Sequence, residues 1–161
     1  MAPVLTKDWL KKLAVPIDFN LKLKGKPVFG KNKTLRGFLF AVLYSIVIAM
    51  IQNLLFNSSE SFRTISLLDY SNWLLFGFLI GFGAITGDLI KSFFKRRLDI
   101  PAGARFFPWD QLDFVIGALI VVSLVYKLTL VMIITIILIS IVLHIIVNHV
   151  GFYLKLRTTK W

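Results

Sequence analysis

Four apolar stretches separated by polar segments dominate the pattern along this chain of 161 residues. They cover residues 36–56, 72–90, 113–126 and 128–147. The first has a length that suits a helix crossing a hydrocarbon core of about 30 Å. The third is short for a full crossing unless the bilayer thins around it. We therefore predict a single all-α domain over residues 1–161, a polytopic integral membrane protein with four transmembrane helices.

The composition supports a membrane protein and narrows the chemistry open to it. Hydrophobic residues make up 57% of the chain, above the roughly 45–50% of ordinary soluble domains. The chain has no cysteine, which excludes disulfides and thiolate metal sites. Its net charge of +11 could suggest a nucleic-acid partner, but loop lysines that set topology and meet anionic lipid explain it better. We expect no nucleic-acid binding.

The basic residues are distributed unevenly among the connections between the apolar stretches. Eight lysines precede Arg36, and five basic residues lie between Lys91 and Arg105. Arg63 and Lys127 are the basic residues of the other two connections, and three more lie in the C-terminal tail. Because cytoplasmic loops carry the excess of Lys and Arg, we predict a multi-pass protein of the cell membrane whose N-terminus, central loop and C-terminus are cytoplasmic.

The polar segment between the second and third apolar stretches, residues 87–113, is dense in charge. It holds Asp88, Asp99, Asp110 and Asp113, four of the eight acidic residues of the chain. The spacing of Asp110 and Asp113 puts both on one face of a helix. Carboxylates there could hold Mg²⁺ through one or two oxygens and leave positions for phosphate oxygens. We favour a magnesium site on Asp88, Asp110 and Asp113 over the alternative that Asp110 or Asp113 only caps the third helix.

Positive side chains follow Asp88 at close to helical spacing. Lys91 and Lys95 are four positions apart and share a helix face, and Arg96 and Arg97 come next. Bound phosphates need such cations, although basic side chains that snorkel to the membrane surface give the same pattern. We favour a functional role for Lys95 and Arg96, and we interpret Arg97 as a residue of the second kind.

A second basic segment lies just before the first apolar stretch. Residues 25–31 read G-x-x-x-x-G-K, but Asn32 stands where a Walker A loop needs Ser or Thr, and we predict no strand before it. A P-loop is therefore excluded. The nearby side chains could bind an anion at a helix start or form a basic collar at the membrane surface, and spacing alone leaves both open. The candidates are Lys31, Lys33, Thr34 and Arg36.

The remaining polar residues suggest no further chemistry. His144 and His149 are five apart near the end of the last apolar stretch, so they do not share a helix face, and we assign neither a role. No Ser-His-Asp or Cys-His arrangement is readable in the sequence.

Four motifs together resemble those of the CDP-archaeol synthase family, which is similar to the broader CTP:phosphatidate cytidylyltransferases. They are P-I-D-F at 16–19, G-K-N-K-T-L-R-G at 30–37, G-D-L-I-K-S-F-F-K-R-R at 87–97 and F-P-W-D-Q-L-D at 107–113. The last two are specific together, because G-D-L-x-x-S-x-x-K-R followed by D-x-x-D is similar to the phosphatidate enzyme signature.

The resemblance implies roles for particular residues and a reaction. Asp88, Asp110 and Asp113 match the acidic metal-site positions, and Lys95 with Arg96 matches a catalytic K-R pair. Lys33 and Thr34 match a K-T element near the CTP phosphates. Together with them, we expect the following residues to bind the nucleotide: Lys31, Arg36, Lys91, Ser92 and Arg105. The implied enzyme uses Mg²⁺ and CTP to convert a membrane lipid phosphate, of the archaetidic acid or phosphatidate type, to a CDP-lipid and diphosphate.

The chain departs from this family pattern in two places. Five spanning helices are usual in the family, and the counterpart of the first is missing here, so either the true start lies upstream or the protein is shorter. Residues 97–108 also lack the K-D and glycine-rich stretch of the phosphatidate enzymes, which favours the archaeol branch.

Two other function classes stay open at this point. A CDP-alcohol phosphotransferase would show D-G-x-x-A-R followed by G-x-x-x-D-x-x-x-D, a pattern that the sequence lacks. A non-catalytic membrane protein would scatter its acidic residues within spans, whereas here they gather at the predicted cytoplasmic rim. The sequence does not fix the oligomeric state, and a homodimer is one assembly that it permits.

Overall fold

The computed structural model describes residues 11–101, 104 and 106–155, and five α-helices account for most of that part of the chain. They are α1 (Leu35–Ser58), α2 (Glu60–Ile65), α3 (Trp73–Arg97), α4 (Trp109–Ser123) and α5 (Leu130–Tyr153). A 3-10 turn over Lys11–Leu13 precedes them. Within the described ranges, α1, α3 and α5 are long and apolar enough to cross a membrane, so the predicted multi-pass helical architecture is confirmed.

The predicted count of four spanning helices is not confirmed, because α4 is short. It has 15 residues, about 22 Å at 1.5 Å per residue, whereas a crossing needs about 20 residues. It begins at Trp109 and ends at Ser123, about one turn earlier than the predicted segment 113–126. Asp110 and Asp113 therefore lie inside the first turns of the helix.

Helix α3 continues well beyond the predicted end at residue 90, and this moves Asp88 away from the helix terminus. Lys95, Arg96 and Arg97 form its last turn, where positive charge is favourable beside the C-terminal end of the helix dipole. Asp88 is nine residues from Arg97, or about 14 Å along the axis. The carboxylate predicted at the rim is instead recessed along the helix.

A small β-hairpin in the N-terminal segment is the feature that an all-α description omits. Strand β1 (Lys22–Leu23) pairs antiparallel with β2 (Lys26–Pro27), and Gly25 in the turn has φ +78. The Arg97 guanidinium donates hydrogen bonds to the backbone carbonyls of Leu23 at 2.7 Å and Lys26 at 3.3 Å. Arg97 therefore fastens the hairpin to the end of α3, a structural role that the sequence interpretation of Arg97 did not include.

Glycines let α3 pack closely against both of its neighbours, as the glycine-rich sequence of this segment predicts. On one side, a Cβ on Gly77 would lie 2.6 Å from the Cα of Ile46 in α1. On the other side, a Cβ on Gly87 would overlap the backbone carbonyl of Asp113 in α4, and Gly117 faces Gly87 from the opposite helix. This crossing brings Asp113 beside Asp88.

The surface of the helical bundle is apolar, and its buried core is small. Ala49, Phe76 and Val122 form the central buried cluster, while large apolar side chains of α1 and α5 are exposed, Leu43 and Leu138 among them. In water such an apolar surface would cause the protein to aggregate, whereas in a bilayer it contacts the hydrocarbon chains of the lipids. The three long helices therefore present the outside of the bundle to lipid.

Candidate active site

Three aspartates from two helices converge on the ammonium group of one lysine. The Nζ atom of Lys91 lies 3.3 Å from Asp88 Oδ1, 3.1 Å from Asp110 Oδ1 and 2.7 Å from Asp113 Oδ2. Asp88 and Lys91 come from the second half of α3, and Asp110 and Asp113 come from the start of α4. The structure thus brings together all three predicted metal ligands, and it places a side-chain cation among them.

Two more lysines flank this cluster. The Lys33 ammonium pairs with Asp88 Oδ2, and the buried Lys95 ammonium lies 3.3 Å from Asp110 Oδ1 and also donates to the backbone carbonyl of Ala104. The other Asp110 oxygen accepts a 2.6 Å hydrogen bond from the backbone N–H of Phe106. Each aspartate therefore meets at least one lysine, and Asp110 also holds the loop in front of α4.

Nearly all the carboxylate oxygens of the three aspartates have a partner within the protein. Five of them have an ammonium or N–H partner, and the sixth, Asp113 Oδ1, is buried without a hydrogen-bond partner. Over the described ranges, no group of three or more His, Cys, Asp or Glu side chains is arranged to hold a metal ion. Metal ligation by Asp88, Asp110 and Asp113 stays a prediction.

The donor chemistry of the three aspartates nevertheless fits a hard divalent cation. Mg²⁺ is bound by one or two carboxylates plus water and substrate phosphates, and carboxylate oxygens are the donors that this cluster offers. The buried Asp113 Oδ1 already lacks a partner, and a buried acceptor left unsatisfied costs free energy. The three carboxylates can therefore hold Mg²⁺ if an ammonium group that now lies among them moves away.

Asp18 organises the segment that delivers Lys33, and the sequence interpretation gave it no role. Its buried carboxylate accepts hydrogen bonds from the backbone N–H groups of Phe29 at 2.8 Å, Gly30 at 3.1 Å and Asn20 at 3.1 Å. Burial alone would raise its pKa, but the N–H donors outweigh burial and hold the pKa of Asp18 below the ordinary value. The sequence feature that could have indicated this role is the aspartate of the P-I-D-F motif. Its donors Phe29 and Gly30 follow it by eleven and twelve positions.

Backbone pairing then carries this order from Asp18 to the start of α1. The Ile17 N–H donates to the Lys33 carbonyl at 2.8 Å, and the Leu35 N–H donates to the Val15 carbonyl at 3.0 Å. The Thr34 hydroxyl accepts from the N–H of Gly37 at 3.1 Å, so it caps α1. Of the predicted nucleotide-binding residues in this segment, Lys33 reaches the aspartate cluster and the Thr34 side chain is used for capping.

The remaining candidates differ in how deeply they are buried. Lys31 is exposed, Arg36 is half-buried and Ser92 is buried on α3. Residues 15–34, which precede α1, form the entrance segment. Arg96 is half-buried beside it, since a Cβ on Gly30 would lie 3.9 Å from Arg96 Cδ. The predicted residue Arg105 lies outside the described residues.

The two histidines take part in helix contacts. The His144 ring on α5 stacks against Phe114 on α4 with ring centroids 5.8 Å apart. His149 Nδ1 lies 2.8 Å from the carbonyl of Ile145, one turn earlier in the same helix. Through His144, the second half of α5 packs beside the start of α4, so the end of α5 returns to the side of the bundle that holds the aspartates.

An apolar cavity adjoins the charged cluster between α3 and α4. Its volume is about 440 Å³, and its walls include the apolar side chains Ile90, Phe94 and Ile116. Lys91 and Asp113 belong to the same walls. The cavity therefore offers a hydrocarbon environment that touches two members of the charged cluster, as expected for a ligand with an apolar tail and a charged head.

Comparison with known proteins finds related sequences over nearly the whole chain. A model of the CarS-like CDP-archaeol synthase family matches residues 12–161. A CDP-archaeol synthase of Pyrobaculum islandicum is 35% identical over 151 residues, covering 93% of this chain and 84% of the relative. One of Sulfolobus acidocaldarius is 32% identical over 152 residues, covering 93% and 85%.

The fold is also similar to a solved structure described as an intramembrane enzyme for archaeal membrane lipids biosynthesis. The TM-score is 0.63 and the sequence identity is 26%, with 91% of this chain and 88% of the other covered. Both kinds of comparison extend over nearly the whole chain, so they include the entrance segment, α3 and α4 together.

Proposed function

Because this chain belongs to the CDP-archaeol synthase family and is thus a CTP-using cytidylyltransferase of lipid synthesis, we propose that its substrate is an archaetidic-acid-type lipid phosphate, 2,3-bis-O-geranylgeranylglycerol 1-phosphate, with phosphatidate-like lipids as the alternative. An oxygen of the lipid phosphate attacks the α-phosphorus of CTP. The bond from that phosphorus to the departing diphosphate breaks as the new P–O bond forms. The products are a CDP-lipid and diphosphate. We also propose that residues 1–161 form a single catalytic domain.

One observation carries this proposal, namely the contact between the aspartate–lysine cluster and the apolar cavity. The cavity of about 440 Å³ between α3 and α4 shares Lys91 and Asp113 with the cluster. A lipid phosphate needs this combination, because its hydrocarbon chain prefers apolar walls while its phosphate needs cations. The nucleotide approaches the same cluster from the entrance segment, where Lys33 reaches Asp88.

Asp88, Asp110 and Asp113 are the residues that would hold the divalent metal which the family requires. When bound, such an ion neutralises charge on the triphosphate and on the departing diphosphate. The carboxylates contribute hard oxygen donors from two helix segments held at fixed separation by the close α3–α4 crossing.

The basic residues bind and orient the phosphates. We assign Lys33 to the triphosphate, where an ammonium acts as a charge-assisted donor. Lys95 and Arg96 sit on α3, one turn beyond Lys91, and stabilise charge that develops on the transferring phosphoryl group. Lys31, Thr34, Arg36, Lys91, Ser92 and Arg105 complete the proposed nucleotide-binding set. No side-chain nucleophile is required, because the lipid phosphate is itself an anion at neutral pH.

The cluster should face the cytoplasm, where CTP is found. The start of α1, the end of α3 and the start of α4 lie on one side of the bundle, since Lys33, Lys91 and Asp110 meet there. That side carries the basic N-terminal segment and the central loop, which the distribution of positive charge assigns to the cytoplasm.

The decisive experiment measures cytidylyl transfer by the purified protein in lipid nanodiscs. Labelled CTP and Mg²⁺ are supplied to nanodiscs that contain a geranylgeranyl-ether glycerol phosphate, phosphatidate or no lipid phosphate substrate. We expect a labelled CDP-lipid and diphosphate in equal amounts, faster with the ether lipid. Equal rates with both lipids would remove the substrate preference, and no product with either lipid would overturn the activity.

A further inference from the structure

Lys91 stands out among the described cations because its ammonium touches all three aspartates. The three distances lie between 2.7 and 3.3 Å, and the side chain is 14% exposed. Three carboxylates this close repel one another unless a cation lies between them. Lys91 therefore performs, within the protein itself, the charge neutralisation that a bound cation would perform.

The occupancy of the carboxylate oxygens sets a condition on any incoming divalent ion. Asp113 Oδ1 is the carboxylate oxygen of the cluster that lacks a hydrogen-bond partner. An ion that bridges two of the aspartates must take the space that the Lys91 ammonium now occupies between them, and two cations at that separation repel each other. Mg²⁺ binds oxygens at about 2.0–2.1 Å with near-octahedral geometry, which leaves no room for an ammonium group at the same point.

Of the three lysines in the cluster, Lys91 is the one whose departure satisfies this condition. Movement of Lys33 would release an oxygen of Asp88 alone, and Lys95 contacts Asp110 while also donating to the Ala104 carbonyl. Movement of Lys91 removes an ammonium from Asp88, Asp110 and Asp113 at once. Together with the unpartnered Asp113 Oδ1, this leaves carboxylate oxygens on both helices.

We propose that Lys91 is the resident counter-ion of the metal-free protein and that a divalent cation displaces its ammonium from the three aspartates. This inference rests on the metal site of the proposed function. Lys91 also lines the apolar cavity beside the cluster, so the released ammonium remains next to the space assigned to the lipid. Because an ammonium in apolar surroundings needs an anionic partner, the displaced ammonium becomes available to a substrate phosphate.

The direct test measures the chemical reactivity of Lys91 in the unmodified protein. The full chain in nanodiscs is treated briefly with an amine-acylating reagent, with and without saturating Mg²⁺ and without substrates, and the modification of each lysine is quantified by mass spectrometry. We expect Mg²⁺ to increase modification of Lys91 about fivefold or more, on the scale of the coupling between contacting charged groups. Lys26 is the internal control, since it pairs with Asp99 away from the cluster.

Calorimetry of Mg²⁺ binding in the same preparation separates the possible failures. If Mg²⁺ binds and the reactivity of Lys91 does not rise, the displacement is refuted and the proposed metal site stands. If Mg²⁺ binds only when CTP is also present, displacement of Lys91 by the metal alone is refuted, and the aspartate site of the proposed function stands, because substrate phosphates supply part of the Mg²⁺ coordination. If Mg²⁺ binds neither alone nor with CTP, the aspartate site itself is wrong.

A variant supplies an independent readout. Lys91→Met keeps the length and apolar stem of the side chain and removes its charge. We expect this variant to bind Mg²⁺ about fivefold more tightly or better and to melt at a lower temperature than the wild type only when Mg²⁺ is absent. An unchanged or weaker Mg²⁺ affinity contradicts the proposal. Should the variant fail to fold even with Mg²⁺, the labelling of the wild-type protein decides.

Discussion

The ammonium group of Lys33 lies against the carboxylate of Asp88, a residue fifty-five positions later in the chain. This ion pair links the segment before α1 to the middle of α3. The Lys33 backbone is itself held in place, because its carbonyl accepts a 2.8 Å hydrogen bond from the N–H of Ile17. The basic segment is therefore part of the aspartate–lysine cluster, which favours nucleotide binding over a role as a collar at the membrane surface.

Replacing Lys33 should impair the use of CTP more than the use of lipid. In Lys33→Met we expect the KM for CTP to rise about tenfold or more, since hydrogen bonds to charged groups contribute about 1.5–3 kcal/mol. The KM for the lipid phosphate should change little. Steady-state kinetics with each substrate varied in turn provide the measurement. Lys22→Met, an exposed position on β1, is the matched control. Unchanged CTP kinetics in Lys33→Met would restore the collar interpretation.

Asp18 should matter for stability through the turn that it organises. Asp18→Asn keeps one acceptor oxygen and places an amide where one of the N–H donors now points, so a buried N–H of Asn20, Phe29 or Gly30 loses its partner. We expect a loss of about 1–3 kcal/mol of stability, observed as a lower melting temperature at pH 7. An unchanged melting temperature would mean that the three hydrogen bonds contribute nothing net. Glu60→Gln, an exposed carboxylate on α2, serves as the control.

The pH dependence of that difference follows from the lowered pKa of Asp18. A carboxyl group whose pKa is lower in the folded state stabilises the fold above its unfolded pKa, about 3.9 for Asp, and this contribution disappears as the pH falls through the folded value. The gap in melting temperature between the wild type and Asp18→Asn should therefore be constant from pH 7 to about 5 and narrow below pH 4. A gap that widens toward low pH would contradict the assigned direction.

Much of the architecture could be predicted from the sequence, because a helix that crosses a bilayer needs an apolar stretch of about 20 residues, which is easy to recognise. The apolar stretches identified the cores of α1, α3 and α5, and the spacing of Asp110 and Asp113 placed them on one helix face. The predicted end of α3 and the predicted start of α4 were wrong because charged residues at a helix end lower the local hydropathy without breaking the helix. Lys95, Arg96 and Arg97 are helical because they lie where the helix dipole favours cations.

The interior of the site was less accessible to sequence reasoning. The motifs named Asp88, Lys91, Asp110 and Asp113, but spacing along the chain does not show that one ammonium would lie among three carboxylates. That arrangement depends on how closely α3 and α4 approach each other, which is set by tertiary contacts. Asp18 was overlooked for the same reason, since its partners Phe29 and Gly30 are brought to it by a hairpin of four paired residues.

The close approach of α3 and α4 should itself be sensitive to a single methyl group. A Cβ on Gly87 would overlap the backbone carbonyl of Asp113, so Gly87→Ala must push the helices apart and separate Asp88 from Asp113. We expect a stability loss of about 1–3 kcal/mol from overpacking and an activity loss larger than the change in folded fraction explains. Thr86→Ala, next in sequence and hydrogen-bonded within its own helix, is the control. Normal activity in Gly87→Ala would show that the crossing tolerates adjustment.

The sharpest test of the metal site concerns Asp113, the most buried of the three aspartates, which has one oxygen without a partner. Asp113→Asn removes one of the three negative charges around Lys91 and leaves the helix intact, so the metal-free protein should melt within a few degrees of the wild type. Cytidylyl transfer should fall about a hundredfold or more, the scale on which preorganised charge stabilisation acts in active sites. The gain in melting temperature that Mg²⁺ gives the wild type should also disappear.

The control for this test is Asp99→Asn, which breaks an exposed ion pair with Lys26, an interaction that typically contributes little to stability. This variant should preserve both activity and the response to Mg²⁺. If Asp113→Asn keeps near-normal activity and still responds to Mg²⁺, the three aspartates do not hold the metal, and charge neutralisation must come from the lysines alone.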